Sequence, residues 1–157
     1  MGAGGVDYIG SYWQAGNGTR SVDLSAIEPG FISQTFDTAL GQSYLVTFLL
    51  AGNPDGPPPV KSLGVSAAAD SGLYTFDTTG HTTAAMGWTL EQFIFTATGS
   101  STTLTFTSNS ATSFGPALDN ISVSEISEVV PEPGTWVMLG GGLLALATHR
   151  KITFKKT

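Results

Sequence analysis

An all-β sandwich followed by a short C-terminal hydrophobic helix is the fold that this sequence predicts, and three observations lead there. Gly (20) and Pro (8) are plentiful while only 11% of the 157 residues are charged, a mix that favours strands and turns over helices. Between Val6 and Ile126, short runs rich in β-branched and aromatic residues are punctuated by turn residues. Within several runs apolar and polar residues alternate with period two, as on a sheet with one face buried. A hydrophobic fraction of 41% argues against disorder, and the length suits one domain with appendages.

Taken in order, the predicted strands are 20–24, 31–36, 44–51, 63–67, 73–76, 92–97, 103–108 and 120–126. Alternation places Tyr44, Val46, Phe48, Leu104, Phe106, Ile121 and Val123 on inward faces, so these are expected to be buried between two antiparallel sheets. Glu28-Pro29-Gly30, Leu40-Gly41-Gln42 and Ala97-Thr98-Gly99-Ser100 supply turns. The stretch from Gly52 to Pro59 holds four prolines, three of them consecutive, which cannot donate to a ladder; it reads as a stiff surface loop.

Charge is segregated along the chain. All twelve acidic residues precede Gly134, and up to Pro133 only Arg20 and Lys61 oppose them, a net of −10 that repels a phosphate backbone and excludes nucleic acid as a natural partner. Cysteine is absent, so there is no disulfide framework, thiolate metal site or Cys nucleophile. The remaining basic residues, Arg150, Lys151, Lys155 and Lys156, close the chain behind an uncharged stretch from Thr135 to Thr148. That stretch is shorter than the roughly 20 residues a spanning helix needs. Val137, Leu139, Leu143, Leu144 and Leu146 at about −0.5 kcal/mol each give a hold of only about −2.5 kcal/mol, the strength of a temporary anchor. The flanking cations set its basic end on the cytoplasmic side.

Pro131-Glu132-Pro133, the apolar run and the basic end resemble, in that order, the PEP-CTERM sorting signal of Gram-negative bacteria. The resemblance implies export, a transient inner-membrane intermediate, processing by an exosortase-type enzyme near Pro131, Glu132 and Pro133, and delivery to the cell surface or its extracellular matrix. Residues 1–126 would then be the exported domain, 127–133 a linker and 134–157 the sorting tail. Ile152 to Thr157 extend past the point where many such tails stop, adding charge of the right sign.

The domain resembles the galactose-binding-like jelly-roll β-sandwich of the choice-of-anchor C family. The matching pieces are Ser21-Val22-Asp23-Leu24, residues 30–36, residues 48–54, Met86-Gly87-Trp88 and residues 115–123. This implies a polysaccharide or glycan as partner. Members of that family usually begin with an Asn-Gly-x-Phe-Glu strand, and exported ones with a signal peptide; neither precedes Val6, so a further N-terminal piece is expected.

Candidate site residues follow from side-chain chemistry. Tyr12, Trp13 and Trp88, with Tyr8, offer flat apolar faces with polar edges on which a sugar can stack, although core packing competes for both tryptophans. Asn53 and Asp55, in the Pro-rich loop, could supply hydrogen bonds to such a sugar. Asp119 shares strand parity with Ile121 and Val123, so its carboxylate is expected to point inward, where it must be paired or bind a cation. In the jelly rolls that this domain resembles, an Asp at the start of the last strand helps hold a structural calcium; that makes Asp119 the metal candidate, against a plain turn Asp. Catalysis is hard to assemble: His81 is the only histidine ahead of the tail, and no Gly-x-Ser-x-Gly elbow is present. The expected function is a non-catalytic glycan-binding surface protein. The alternatives are a purely structural exopolysaccharide-associated protein and, third, a glycan-active enzyme using paired carboxylates among Asp55, Asp70, Asp77 and Glu91.

Overall fold

A computed structural model describes residues 5–127, in which nine strands and no helix are found. The expected tail helix, Pro131, Glu132, Pro133 and the basic residues Arg150, Lys151, Lys155 and Lys156 lie outside the described residues. The strands are β1 (Asp7–Ile9), β2 (Ser21–Asp23), β3 (Phe31–Asp37), β4 (Ser43–Gly52), β5 (Val60–Ala67), β6 (Asp70–Asp77), β7 (Thr89–Thr96), β8 (Ser101–Ser108) and β9 (Pro116–Glu125). They form a five-stranded sheet, β1-β2-β9-β4-β7, and a four-stranded sheet, β3-β8-β5-β6, with antiparallel pairing throughout. The described residues up to Ile126 make one compact unit.

Period-two alternation builds the core as the sequence predicts. Val46, Phe48 and Leu50 of β4 and Phe93 and Phe95 of β7 are buried, as are Leu63 and Val65 of β5 and Leu104 and Phe106 of β8. Phe48 meets Phe106 and Tyr74 edge to face, each with ring centroids 5.2 Å apart, a geometry worth about 1 kcal/mol per pair beyond area burial. Tyr44 is half-buried and stacks on Phe95 at 5.2 Å.

Ile121 departs from expectation, being 39% exposed, and Val123 is only half-buried. β2 pairs with β9 only through Val22↔Leu118 and Asp23↔Ala117, so the rest of β9 has a strand on one side alone. Ile121 and Val123 therefore line a lateral groove of about 600 Å³, shared with Ile32, Phe36, Leu104 and Phe106.

A second departure, also on β9, has a different cause. Pairing of β4 with β9 slips between Thr47↔Ser122 and Leu49↔Asp119, and Asn120 takes the left-handed conformation (φ 49°). This bulge inserts one residue, and a one-residue shift reverses the faces. Asp119 thus lies opposite Leu49, on the outer face of the sheet, and not inward with Val123.

Candidate functional site

The loop joining β1 to β2 (10–20) does not stand away from the sandwich; it lies across the outer face of the five-stranded sheet. Asn17 N donates to Asp119 Oδ2 at 2.7 Å, which fixes the loop over β9. Gly16 passes so close to β4 and to the residue ahead of β7 that an added Cβ would sit 2.8 Å from Leu49 Cδ1 and 3.0 Å from Trp88 Cδ2, so a larger residue would have to displace the Leu49 side chain. Further along, Gln14 ties the loop to the β6–β7 connection: its N–H donates to Thr83 O at 2.7 Å, its carbonyl accepts from Trp88 Nε1 at 2.9 Å, and its Oε1 accepts from Met86 N at 3.3 Å.

This strap gathers residues far apart in sequence. Tyr12 is 64% exposed and its hydroxyl donates to Asp55 Oδ2 at 2.8 Å, across to the Pro-rich loop. The neighbouring carboxylate pushes the Tyr12 phenol above its ordinary range, so it remains a donor at neutral pH. Trp88 is half-buried beneath Gly16. Ser11, Tyr12, Trp13, Gln14, Thr83 and Ala84 line a shallow groove of about 340 Å³. The larger lateral groove beside β3 is lined by aliphatic and aromatic side chains, with Ser33 and Gln34 as its polar exceptions.

Two sequence candidates change role. Trp13 is 4% exposed and its Nε1 donates to Ser21 Oγ at 2.6 Å, so the indole is core and cannot offer a face to a sugar. The premise that a loop aromatic is free of packing fails because the loop is pinned down on the sheet. Asn53 is also buried, with Nδ2 donating to Asp23 Oδ2 at 2.8 Å and Oδ1 accepting from Asp55 N at 3.0 Å. Its amide is spent inside the protein, and it shapes the loop without contacting solvent.

Sequence reasoning missed Asp23 and Lys61, both fully buried under the Pro-rich loop. Lys61 shares inward parity with Leu63 and Val65, and its Nζ reaches out to donate to Gly56 O at 2.6 Å. Burial pushes its ammonium down, while the Asp23 charge acts the other way. The available signal was the parity: a Lys in phase with an apolar face is either a strand boundary or a buried cation.

Asp119, the metal candidate, is engaged by backbone donors. Its two oxygens accept from the N–H groups of Asn17 and Asn120, both at 2.7 Å, and no group of three or more His, Asp or Glu side chains gathers among the described residues. Calcium takes six to eight oxygens, so a site at Asp119 would need further ligands beside this carboxylate. The carboxylates considered for glycoside cleavage are engaged separately: Asp70 accepts from Thr96 N, Asp77 from Thr79, and Glu91 from Thr89. The His81 ring packs at 5.2 Å from Phe76, over Gly87.

The two packed antiparallel sheets define a jelly-roll β-sandwich, a fold shared with solved carbohydrate-binding modules. A family 35 carbohydrate-binding module from Clostridium thermocellum superimposes with TM-score 0.54 at 15% identity, over 77% of this chain and 88% of that one. A family 16 carbohydrate-binding module does so with TM-score 0.52 at 18% identity, over 78% and 86%. The chain belongs to the DUF642 family, described as a protein family of unknown function, whose pattern matches residues 1–124. Residues 129–151 match the PEP-CTERM protein-sorting motif, a signal for export through an exosortase to the cell surface. Halomucin of Haloquadratum walsbyi is 36% identical over 132 residues, which is 82% of this chain but 1% of that protein's length.

Proposed function

We propose that this is a non-catalytic surface protein whose sandwich binds a glycan through the end bearing Tyr12. The observation that carries the reading is an aromatic ring that is 64% exposed yet held in place by a 2.8 Å bond to Asp55. A ring fixed before binding loses little freedom on binding, and its open face suits the apolar side of a pyranose. Asp55, exposed beside it, and the half-buried Trp88 complete the set, with Trp13 and Asn53 as supports. The net charge of −10 up to Pro133 favours an uncharged polysaccharide over an acidic one. The likeness of fold to carbohydrate-binding modules supports the same reading.

In this scheme 1–126 is the binding domain, 127–133 the linker and 134–157 the tail of a Gram-negative exported protein. The tail holds the chain briefly at the inner membrane until an exosortase-type enzyme acts near Pro131-Glu132-Pro133. Affinity electrophoresis through gels containing neutral polysaccharides tests the binding. Retardation by at least one of xylan, β-glucan or galactan, abolished in Tyr12→Ala, is expected. Wild type and variant migrating alike in every gel would instead favour a structural exopolysaccharide-associated role without a discrete ligand site.

A further inference from the structure

The Asp23 carboxyl group is 2% exposed, yet it is not isolated from the surface. Its Oδ1 accepts from Ser25 N at 2.9 Å, its Oδ2 from Asn53 Nδ2 at 2.8 Å, and Gly115 N donates to it as well. From there a single line of bonds leads outward: Asn53 Oδ1 accepts from Asp55 N at 3.0 Å, and Asp55 Oδ2 accepts from Tyr12 OH at 2.8 Å. Four residues separated by up to 43 positions are joined from the core to an exposed ring. The charged groups facing Asp23 are Asp7, its register partner on β1, and Lys61 from β5.

Resting on the reading that the Tyr12 end is the binding face, we propose that Asp23 is its positioning residue: the buried carboxylate fixes Asn53, and through Asn53 and Asp55 it fixes the ring that the ligand meets. An ionised carboxylate can accept from all three N–H donors at once. Protonation removes the charge that strengthens all of these bonds and adds an O–H that must find an acceptor of its own, so the least constrained donor is the one displaced. Ser25 and Gly115 donate from backbone, which is held by the fold, whereas Asn53 donates from a side chain that can turn; Asn53 is therefore the partner released. Burial is the main cause lifting this carboxyl to about 6, against the lowering effect of its three donors, with Asp7 adding to the rise. The line of bonds is thus intact at neutral pH and broken under mild acid.

The test is a pH titration of the full chain by amide NMR, in a His81→Gln background that leaves no histidine ahead of the tail. The Ser25 amide reports Asp23 directly, and the Asp55 amide reports the far side of Asn53. Both are expected to step with a shared midpoint near 6. In Asn53→Ala the Ser25 step should persist and the Asp55 step disappear. An Asp55 amide without that step in the wild type, or one whose step survives in Asn53→Ala, overturns the proposal. Affinity for the polysaccharide that retards the wild type should fall about tenfold from pH 7 to pH 5, the effect of one lost hydrogen bond, and should be weak and flat in Asn53→Ala. If both amides step as expected while no polysaccharide is bound at either pH, the positioning stands and the glycan reading fails.

Discussion

The sharpest energetic consequence of the buried Asp23 is an inverted response to acid. Burial lifts its carboxyl to about 6 in the folded protein from an ordinary 3.8, so the native state binds the more protons between those values. Stability from this group is fully present below the unfolded value and is lost as pH rises through 6. At about 1.36 kcal/mol per pH unit the whole shift is worth about 3 kcal/mol, of which about 2 kcal/mol in favour of the fold is realised at pH 4 relative to pH 7, since at pH 4 the unfolded group is still partly ionised. Asp77 works in the opposite sense, since its bonds to Thr79 hold it below the usual range and it loses stability as pH falls; being fully exposed, it does not set the balance. The perturbation is Asp23→Asn, which keeps the shape and removes the proton site. Urea unfolding followed by Trp fluorescence at pH 7, 6, 5 and 4 gives the two stability curves. The wild type should gain on the variant by about 2 kcal/mol across that range. A constant difference would refute the reasoning. A difference that shrinks on acidification would show that the three N–H donors outweigh burial and hold the carboxyl low.

Phe48→Ala should cost about 3–5 kcal/mol in the same assay, because it removes a ring with no exposure that touches Phe106 and Tyr74. A loss under about 1 kcal/mol would mean that the two sheets do not meet there. Gly115→Ala should cost about 1–3 kcal/mol, since the new Cβ would fall 2.4 Å from Ser25 Oγ and 2.8 Å from Asp23 Oδ1; unchanged stability would contradict that packing. For the tail, the mass of the C-terminal peptide recovered from the host's surface fraction decides processing. An end near Pro133 is expected, and an intact Thr157 counts against it.

Most of the fold was legible because alternation is a direct image of a half-buried sheet. The runs at 44–51 and 103–108 show it plainly, and those strands form the centre of the core. The sequence reading faltered where one residue breaks the phase. Asn120 adds a position to β9, so counting by twos carried Asp119 to the wrong face; an Asn tolerates the left-handed conformation, but Asn occurs too often for that to identify a bulge. β5 starts at Val60 because Lys61 continues the inward face, whereas a lysine read from sequence looks like a boundary. β1, three residues long, carries too short a pattern to register at all. At the candidate site, composition singled out Tyr12, Trp13, Asn53, Asp55 and Trp88, and the loop that lies across the sheet brings them to one end. Which of them face solvent depends on how that loop is pinned, by Gly16 and by backbone bonds to Thr83 and Asp119 that no side-chain pattern announces.

β9 runs the height of the sandwich, from Gly52↔Pro116 beside the Pro-rich loop to Tyr44↔Glu125, after which the chain leaves toward the sorting tail. A protein gripped by a ligand at Tyr12 and tethered through its C-terminus would be pulled along that strand. The ladder bonds to β4 lie across the pull and are loaded in shear, so they must fail together and cannot peel one by one. Of the nine strands, β9 is thus the one through which a pull between those two points would pass.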